Sequence, residues 1–270
     1  MKSVCVFVHY GHTPQLPYPE EAYVRELATY FSQIILVTNQ REFELGGLPS
    51  SVSLKMVENE GYDFGMFYKV AQELDWQHLD RLALANDSNL MIQHLSTLFE
   101  VGENSRIPFW GAVDSNERPW FSTHADNYHL QSHFLVWEKP ALPLLKEFLD
   151  QVPIRDFFAE KDPKNLRRKV INDWEIGISQ FFLQNKIKIG AAFGSGPLSA
   201  SSPKKSKVNN THKSPEQLLQ AGYPFMKKRL VAEQGFLRRI FFPDKKWVNL
   251  INSYSFDRSH AEQLILSVKR

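Results

Sequence analysis

Apolar residues follow two rhythms along the first ninety positions. Short runs rich in β-branched and aliphatic residues recur at 3–10 "SVCVFVHY", 33–39 "QIILVTN", 52–59 "VSLKMVEN" and 80–88 "DRLALANDS", and read as strands buried on both faces. Between them, 19–31 "PEEAYVRELATYF" repeats its large apolar groups at Tyr23, Leu27 and Tyr30, and 64–74 "FGMFYKVAQEL" behaves likewise, so both read as helices. Strands that alternate with helices predict a largely parallel sheet covered on both faces. Further on, 107–115 "IPFWGAVDS", 128–137 "YHLQSHFLVW" and 186–193 "KIKIGAAF" read as strands, with 141–152 "ALPLLKEFLDQV" and 172–185 "NDWEIGISQFFLQN" as helices. From 194–210 "GSGPLSASSPKKSKVNN" onward the pattern becomes loop-like and basic. The expected organisation is an α/β core over 1–200 and a basic C-terminal extension over 201–270 packed on it, with no internal repeat.

Ligands of such sheets bind beyond the carboxyl ends of the strands, and the polar knots of this chain fall there. They are His9 with Tyr10, Thr38 with Asn39, Asn59 to Asp63, and Asn86 to Ser88. In 59–65 "NEGYDFG" a plain turn has Gly61 in the left-handed region, Asp63 capping the next helix and Asn59 satisfying loop backbone. A nucleotide leaning on that turn, with Asn59 or Asp63 accepting its hydrogens, is compatible with the same geometry. Asp87 at a buried strand end needs a partner, either backbone amides or a divalent cation that bridges a diphosphate. Along the strand read at 128–137, His129, Gln131 and His133 share a face and form a polar row suited to sugar hydroxyls; a metal pair there lacks a third ligand. Asp173 and Glu175 stand at the front of an apolar helix, where Asn172 or Asp173 would cap and Glu175, beside Trp174 and Ile176, is the candidate general base.

Composition narrows the classes. With 43% hydrophobic residues in 270 the chain can bury a full core, and its net charge of +2 gives no reason to expect a nucleic-acid partner. Its one cysteine, Cys5, rules out an internal disulfide and suits a reducing cytosol. No apolar run reaches the roughly 18 residues of a membrane span. The segment 223–270 carries ten Lys and Arg against four acids; this is a solvated surface or, alternatively, a peripheral contact with an anionic inner membrane face, with Trp247, Phe241 and Phe242 at the interface.

Taken in order, "NEGYDFG", "LANDSN", "FWGAVDS", "HLQSHFLVW", "NDWEIGISQFFL" and "GYPFMKKRLV" resemble the rhamnan-synthesis F family of bacterial polysaccharide glycosyltransferases, over roughly residues 3 to 230. The resemblance implies a GT-A-like fold and transfer of a sugar, rhamnose in the best-known members, from a nucleoside diphosphate such as dTDP to a polysaccharide or lipid-linked acceptor. It implies donor-site roles for Asn59, Gly61, Asp63, Asn86, Asp87 and Ser88, with Gly65 in the same turn, and acceptor-side roles for Asp114, His129, Gln131 and Ser132. Glu175 and Gly177 match the later acidic helix start, and Pro224 with Lys227 the closing motif. His9 joins the donor side by its strand-end position. Asp87 is the one candidate ligand for Mg²⁺ or Mn²⁺, because the usual paired acids of the GT-A metal motif are reduced to one here. Cations of the chain, Lys227, Lys228, Arg229 or His212, are the alternative neutralisers of the leaving diphosphate.

The expected function is an inverting glycosyltransferase of cell-surface polysaccharide synthesis, with Glu175 or, alternatively, Asp173 as base. A nucleotidyltransferase acting on sugar phosphates is the rival enzyme, and a non-catalytic glycan-binding protein of the same fold the rival outside catalysis.

Overall fold

The computed structural model describes residues 1–194, 211, 214–232 and 246–269. Strands β1 (Ser3–His9), β2 (Gln33–Thr38) and β3 (Val52–Met56) pair in parallel, joined by helix α1 (Tyr18–Leu27) and followed by α2 (Tyr62–Ala71). Strand β4 (Arg81–Asn86) lies parallel to β1 on its other side, and β5 (Asn89–Met91) and α3 (Ser96–Asn104) follow. Beyond them come β6 (Phe109–Gly111), β7 (Asp114–Ser115), β8 (His129–Leu130) and β9 (Phe134–Glu138). Helices α4 (Leu142–Gln151), α5 (Ile154–Ala159) and α6 (Pro163–Lys169), a π-helical stretch (Val170–Ile176) and α7 (Gly177–Gln184) precede β10 (Ile189–Ala191).

The central sheet has seven strands in the order β10-β6-β9-β4-β1-β2-β3, and only β9 runs against its neighbours. The mixed α/β architecture read from the pattern is therefore the observed one. Each face is covered by its own apolar core. One centres on Phe64, Phe67, Trp137 and Trp174 beneath α2 and α7, the other on Phe7, Tyr23, Leu98 and Trp110 beneath α1 and α3. β1 and β4 are buried along their whole length, which explains their unbroken apolar runs.

Two expected strands are interrupted. The 107–115 run divides into β6 and β7, and the 128–137 run into β8 and β9, with a turn at Ser132 and His133. A two-stranded antiparallel ladder then forms between β7 and β8. The expected shared face of His129, Gln131 and His133 is thus lost, because strand alternation does not carry across the turn. His129 Nδ1 instead contacts the Asn127 carbonyl at 2.7 Å, while His133 Nε2 meets the Tyr223 hydroxyl at 2.9 Å.

A third apolar cluster joins Leu90 and Ile92 to Leu219, Met226, Val231, Leu250, Ile251, Ala261 and Leu264, with Trp247 packed against it. Strand β11 (Phe225–Lys227) pairs antiparallel with β5, and helices 246–254 and 258–269 lie nearby. His260 links the last helix to the first half of the chain, contacting the Tyr18 hydroxyl at 3.0 Å and the Met91 carbonyl at 2.8 Å. The expected boundary at residue 200, His212, Phe241 and Phe242 lie outside the described residues. No helix among the described residues is long and apolar enough to cross a membrane.

Candidate active site

The parallel register of β1 and β4 sets Val8 beside Asn86, so the next residues, His9 and Asp87, emerge side by side at the carboxyl end of the sheet. The Asp87 amide donates to the Val8 carbonyl at 3.2 Å, which extends the ladder by one residue and fixes the side chain's direction. Asp87 Oδ2 then lies 2.8 Å from His9 Nδ1 and accepts from the Tyr10 amide at 3.2 Å. Backbone and imidazole together satisfy a carboxylate that would otherwise be costly at this depth.

Asn86 is the centre of a second set of bonds. Its amide nitrogen donates to Asp63 Oδ2 at 2.6 Å, and its oxygen accepts from the Ser88 hydroxyl at 2.6 Å and the Ser88 amide at 3.1 Å. The "NDS" turn is therefore held rigidly, with Asn86 and Ser88 serving the turn itself. Asp63 belongs to the first turn of α2 and accepts from the Phe64 amide at 3.0 Å, but the residue before the helix is Gly61, at φ 79°. The expectation that Asp63 caps this helix is corrected: left-handed Gly61 closes the turn, and the Asp63 carboxylate is freed to point at β4. Burial pushes the Asp63 carboxyl up to about 6, and the charge of Glu175, with a smaller effect from Asp87, acts in the same direction. Asn59 stays exposed at the tip of the turn.

Glu175 reaches this group by an unexpected route. Helix α6 is capped by Asp162, whose side chain accepts from the Lys164 and Asn165 amides, and the chain runs through the π-helical stretch into α7. Asp173 and Glu175 consequently sit in mid-helix, and the expected capping by Asn172 or Asp173 is corrected, as is any influence of a helix N-terminus on Glu175. Asn172 is used elsewhere, its oxygen accepting from the Thr123 amide at 2.9 Å. Trp174 stacks on Phe64 with ring centroids 4.0 Å apart, which seats the π-helical stretch against the start of α2 and brings Glu175 towards Asp63. Glu175 Oε1 accepts from both the amide and the hydroxyl of Ser132, each at 3.1 Å. Ser132 itself is positioned because α7 grips β8, with Ser179 Oγ accepting from the Leu130 amide at 3.0 Å.

Lys227 in β11 pairs with Asn89 of β5. Burial lowers its pKa, while the charges of Glu175 and Glu117 work against that. Asp114 lies in the β7–β8 ladder, close to Tyr128 and against Gly194, where a Cβ would come within 2.3 Å of its carboxylate. Gln131 is buried and accepts from the Thr211 hydroxyl at 3.5 Å.

The structure also reveals Glu20, which sequence reading left unmarked. It is 5% exposed, its Oε1 takes the Lys228 ammonium, and its Oε2 has no partner among the described residues. One ligand atom each from His9, Glu20 and Asp87 can be chosen so that all three lie within 4.8 Å of one another. His9 is 2% exposed, and its Nε2 also lacks a partner. Two buried, unpartnered polar atoms beside Asp87 fit the divalent cation that the sequence assigned to Asp87 alone, with a donor set of one imidazole and two carboxylates. The signal for Glu20 was present in the sequence: Glu20, Tyr23, Val24 and Leu27 follow the spacing of one helix face, and that face is buried.

The model of the rhamnan synthesis protein F family, RgpF, matches residues 49–245. The chain belongs to that family. Within this RgpF chain the match takes in Asp63, Asp87, Glu175 and Lys227, whereas His9 and Glu20 precede it. None of the curated proteins matches. Among solved structures, a Bacillus anthracis protein assigned as a glucose-1-phosphate thymidylyltransferase, in complex with a sucrose, is 10% identical, over 70% of this chain and 86% of its own, at a TM-score of 0.42. A 4-diphosphocytidyl-2C-methyl-D-erythritol synthase from Anaerococcus prevotii is 12% identical, over 81% of this chain and 96% of its own, also at 0.42. Superpositions this loose say nothing about the reaction of this RgpF protein.

Proposed function

We propose that this RgpF protein is an inverting glycosyltransferase that moves a sugar, rhamnose in the first instance, from a dTDP-sugar to a lipid-linked or polysaccharide acceptor. The observation that supports this reading most is the meeting of three carboxylates, Asp63, Asp87 and Glu175, at the carboxyl end of β4, in a chain of a rhamnan-synthesis family. Such an end of a mostly parallel sheet is where nucleotides are held. Asp87 faces the diphosphate and Lys227 offsets its charge as the sugar departs. A divalent cation held by His9, Glu20 and Asp87 would supply further charge neutralisation to the leaving group when bound.

In the transfer step the acceptor hydroxyl oxygen attacks the anomeric carbon from the face opposite the diphosphate. The new carbon–oxygen bond forms as the bond to the diphosphate breaks, and the hydroxyl proton passes to Glu175. Ser132 donates two hydrogen bonds to one oxygen of Glu175 and so orients the other towards the acceptor. The pair Glu175 and Ser132 joins what sequence reading had divided into a catalytic and an acceptor-binding residue. Asp173, whose carboxylate accepts from the Asn172 amide group, is the weaker candidate for the base.

A thermal-shift panel of dTDP-, UDP- and GDP-sugars tests the donor assignment, since a ligand that binds only the folded state raises the melting temperature. Stabilisation by dTDP-rhamnose that is lost in Asp87→Asn is expected. Stabilisation by none of the panel would overturn the reading, and release of pyrophosphate from a nucleoside triphosphate with a sugar phosphate would replace it with the nucleotidyltransferase.

A further inference from the structure

We infer that Glu20 and His9 complete a divalent-cation site with Asp87, and that Lys228 is the monovalent counter-charge which the ion displaces. The inference deepens the donor-site reading above and shares Asp87 with it, while its other two ligands, His9 and Glu20, lie outside the matched family segment.

Three features carry it. The first is proximity: the chosen ligand atoms lie within 4.8 Å of one another. Ligands of an octahedral Mg²⁺ or Mn²⁺ ion with bond lengths near 2.1 Å stand about 3.0 Å apart when adjacent and about 4.2 Å when opposite, so the three atoms must draw together by up to about 2 Å to close the site. The second is the state of the donors. Glu20 is more than nine-tenths buried, with Oε2 unpartnered, and His9 is likewise buried with Nε2 unpartnered. A buried carboxylate oxygen and ring nitrogen without partners are costly unless a ligand completes them. The third is the cation already present. The Lys228 ammonium sits on Glu20 Oε1, and the Lys228 amide donates to the Ser88 carbonyl at 3.2 Å, so a positive charge is tethered beside the "NDS" turn.

The origin of each ligand on the chain is ordered. β1 and β4 deliver His9 and Asp87 side by side, and α1 returns along the same strand end with Glu20 in its first turn. Sequence reading found one acid where two are usual; the second acid comes here from α1, far away in the chain. An imidazole with two carboxylates favours Mn²⁺ over Mg²⁺, since nitrogen donors bind later first-row ions more tightly.

The test is Mn²⁺ binding by the full chain without any nucleotide sugar, followed by electron paramagnetic resonance titration of free Mn²⁺. We expect one site, loosened at least tenfold by Glu20→Gln and by Asp87→Asn, and tightened by Lys228→Met, which removes the competing charge. Circular dichroism melts identify a variant that fails to fold. Independently of any variant, electron spin-echo modulation of bound Mn²⁺ in the wild-type protein should show an imidazole ¹⁴N coupling. No binding at millimolar Mn²⁺, or a bound ion without that coupling, or an affinity indifferent to Glu20→Gln, would overturn the inference. Mn²⁺ binding with no response to dTDP-sugars would leave the site standing and remove the donor assignment.

Discussion

Glu175 is the proposed general base. Replacing it by Gln keeps the shape and an acceptor oxygen for Ser132 but removes the proton acceptor. Donor binding should survive while transfer falls by roughly 10²- to 10⁴-fold, and measuring the two separately checks the assignment. Ser132→Ala removes only the hydroxyl bond and leaves the amide bond, so a smaller loss of about tenfold in turnover is expected. A second residue-scale prediction concerns Gly65, where a Cβ would stand 1.5 Å from the Glu60 carbonyl oxygen. Gly65→Ala should destabilise the protein by about 1–3 kcal/mol in urea denaturation, because backbone must move to admit the methyl group. At this scale the sequence was informative about acids at strand ends and silent about partners. Asp87 was legible because a carboxylate after a buried run is conspicuous; Glu20, although on the buried face of α1, is easily passed over because an acid in a first helical turn already has an explanation.

Among the elements, the first four strands and α1 and α2 followed from periodicity, since long buried runs and amphipathic helices leave clear marks. The interruption at Ser132 and His133 did not. It replaces strand pairing with a turn whose amide bonds Glu175, a tertiary contact that no local pattern encodes. The π-helical stretch was equally hidden: 172–185 reads as a helix start, while the actual start is nine residues earlier at Pro163, capped by Asp162. Such stretches recur at functional sites, and this one presents Glu175 on the side facing Asp63 while Trp174 is anchored in the core. The β5–β11 ladder and the third apolar cluster also depend on contacts between distant segments. Leu264 is fully buried there, so Leu264→Ala should cost about 2–5 kcal/mol in denaturant unfolding. A loss below about 0.5 kcal/mol would mean that the last helix contributes little to the fold.

For the molecule as a whole, pH sets two opposing demands. Burial holds His133 down to about 3 from an ordinary 6.5, so the unfolded chain takes up a proton that the folded one refuses between those values. Stability from this source falls as the pH drops below 6.5, by up to about 1.4 kcal/mol per unit. Asp63 acts in the opposite sense. Its folded carboxyl keeps a proton up to about 6, against 3.8 in the ordinary state, so its contribution grows as the pH falls from 6 towards 3.8 and is lost as the pH rises through 6. Asp63→Asn should therefore leave a steeper acid loss between pH 6 and 4, seen in chemical denaturation at each pH; parallel curves for variant and wild type would contradict the burial of that carboxyl. The same carboxyl lies next to the proposed base, which links the pH response of the fold to that of the site. The central claim is sugar transfer at the carboxyl end of β4, and one measurement addresses it directly. Purified protein is incubated with dTDP-rhamnose labelled in the sugar and a lipid-linked glycan acceptor, and label is followed into the lipid-extractable fraction beside Asp87→Asn and Glu175→Gln. Label should enter the lipid fraction with the wild type and fall at least a hundredfold with either variant. Undiminished transfer by both folded variants would contradict the account.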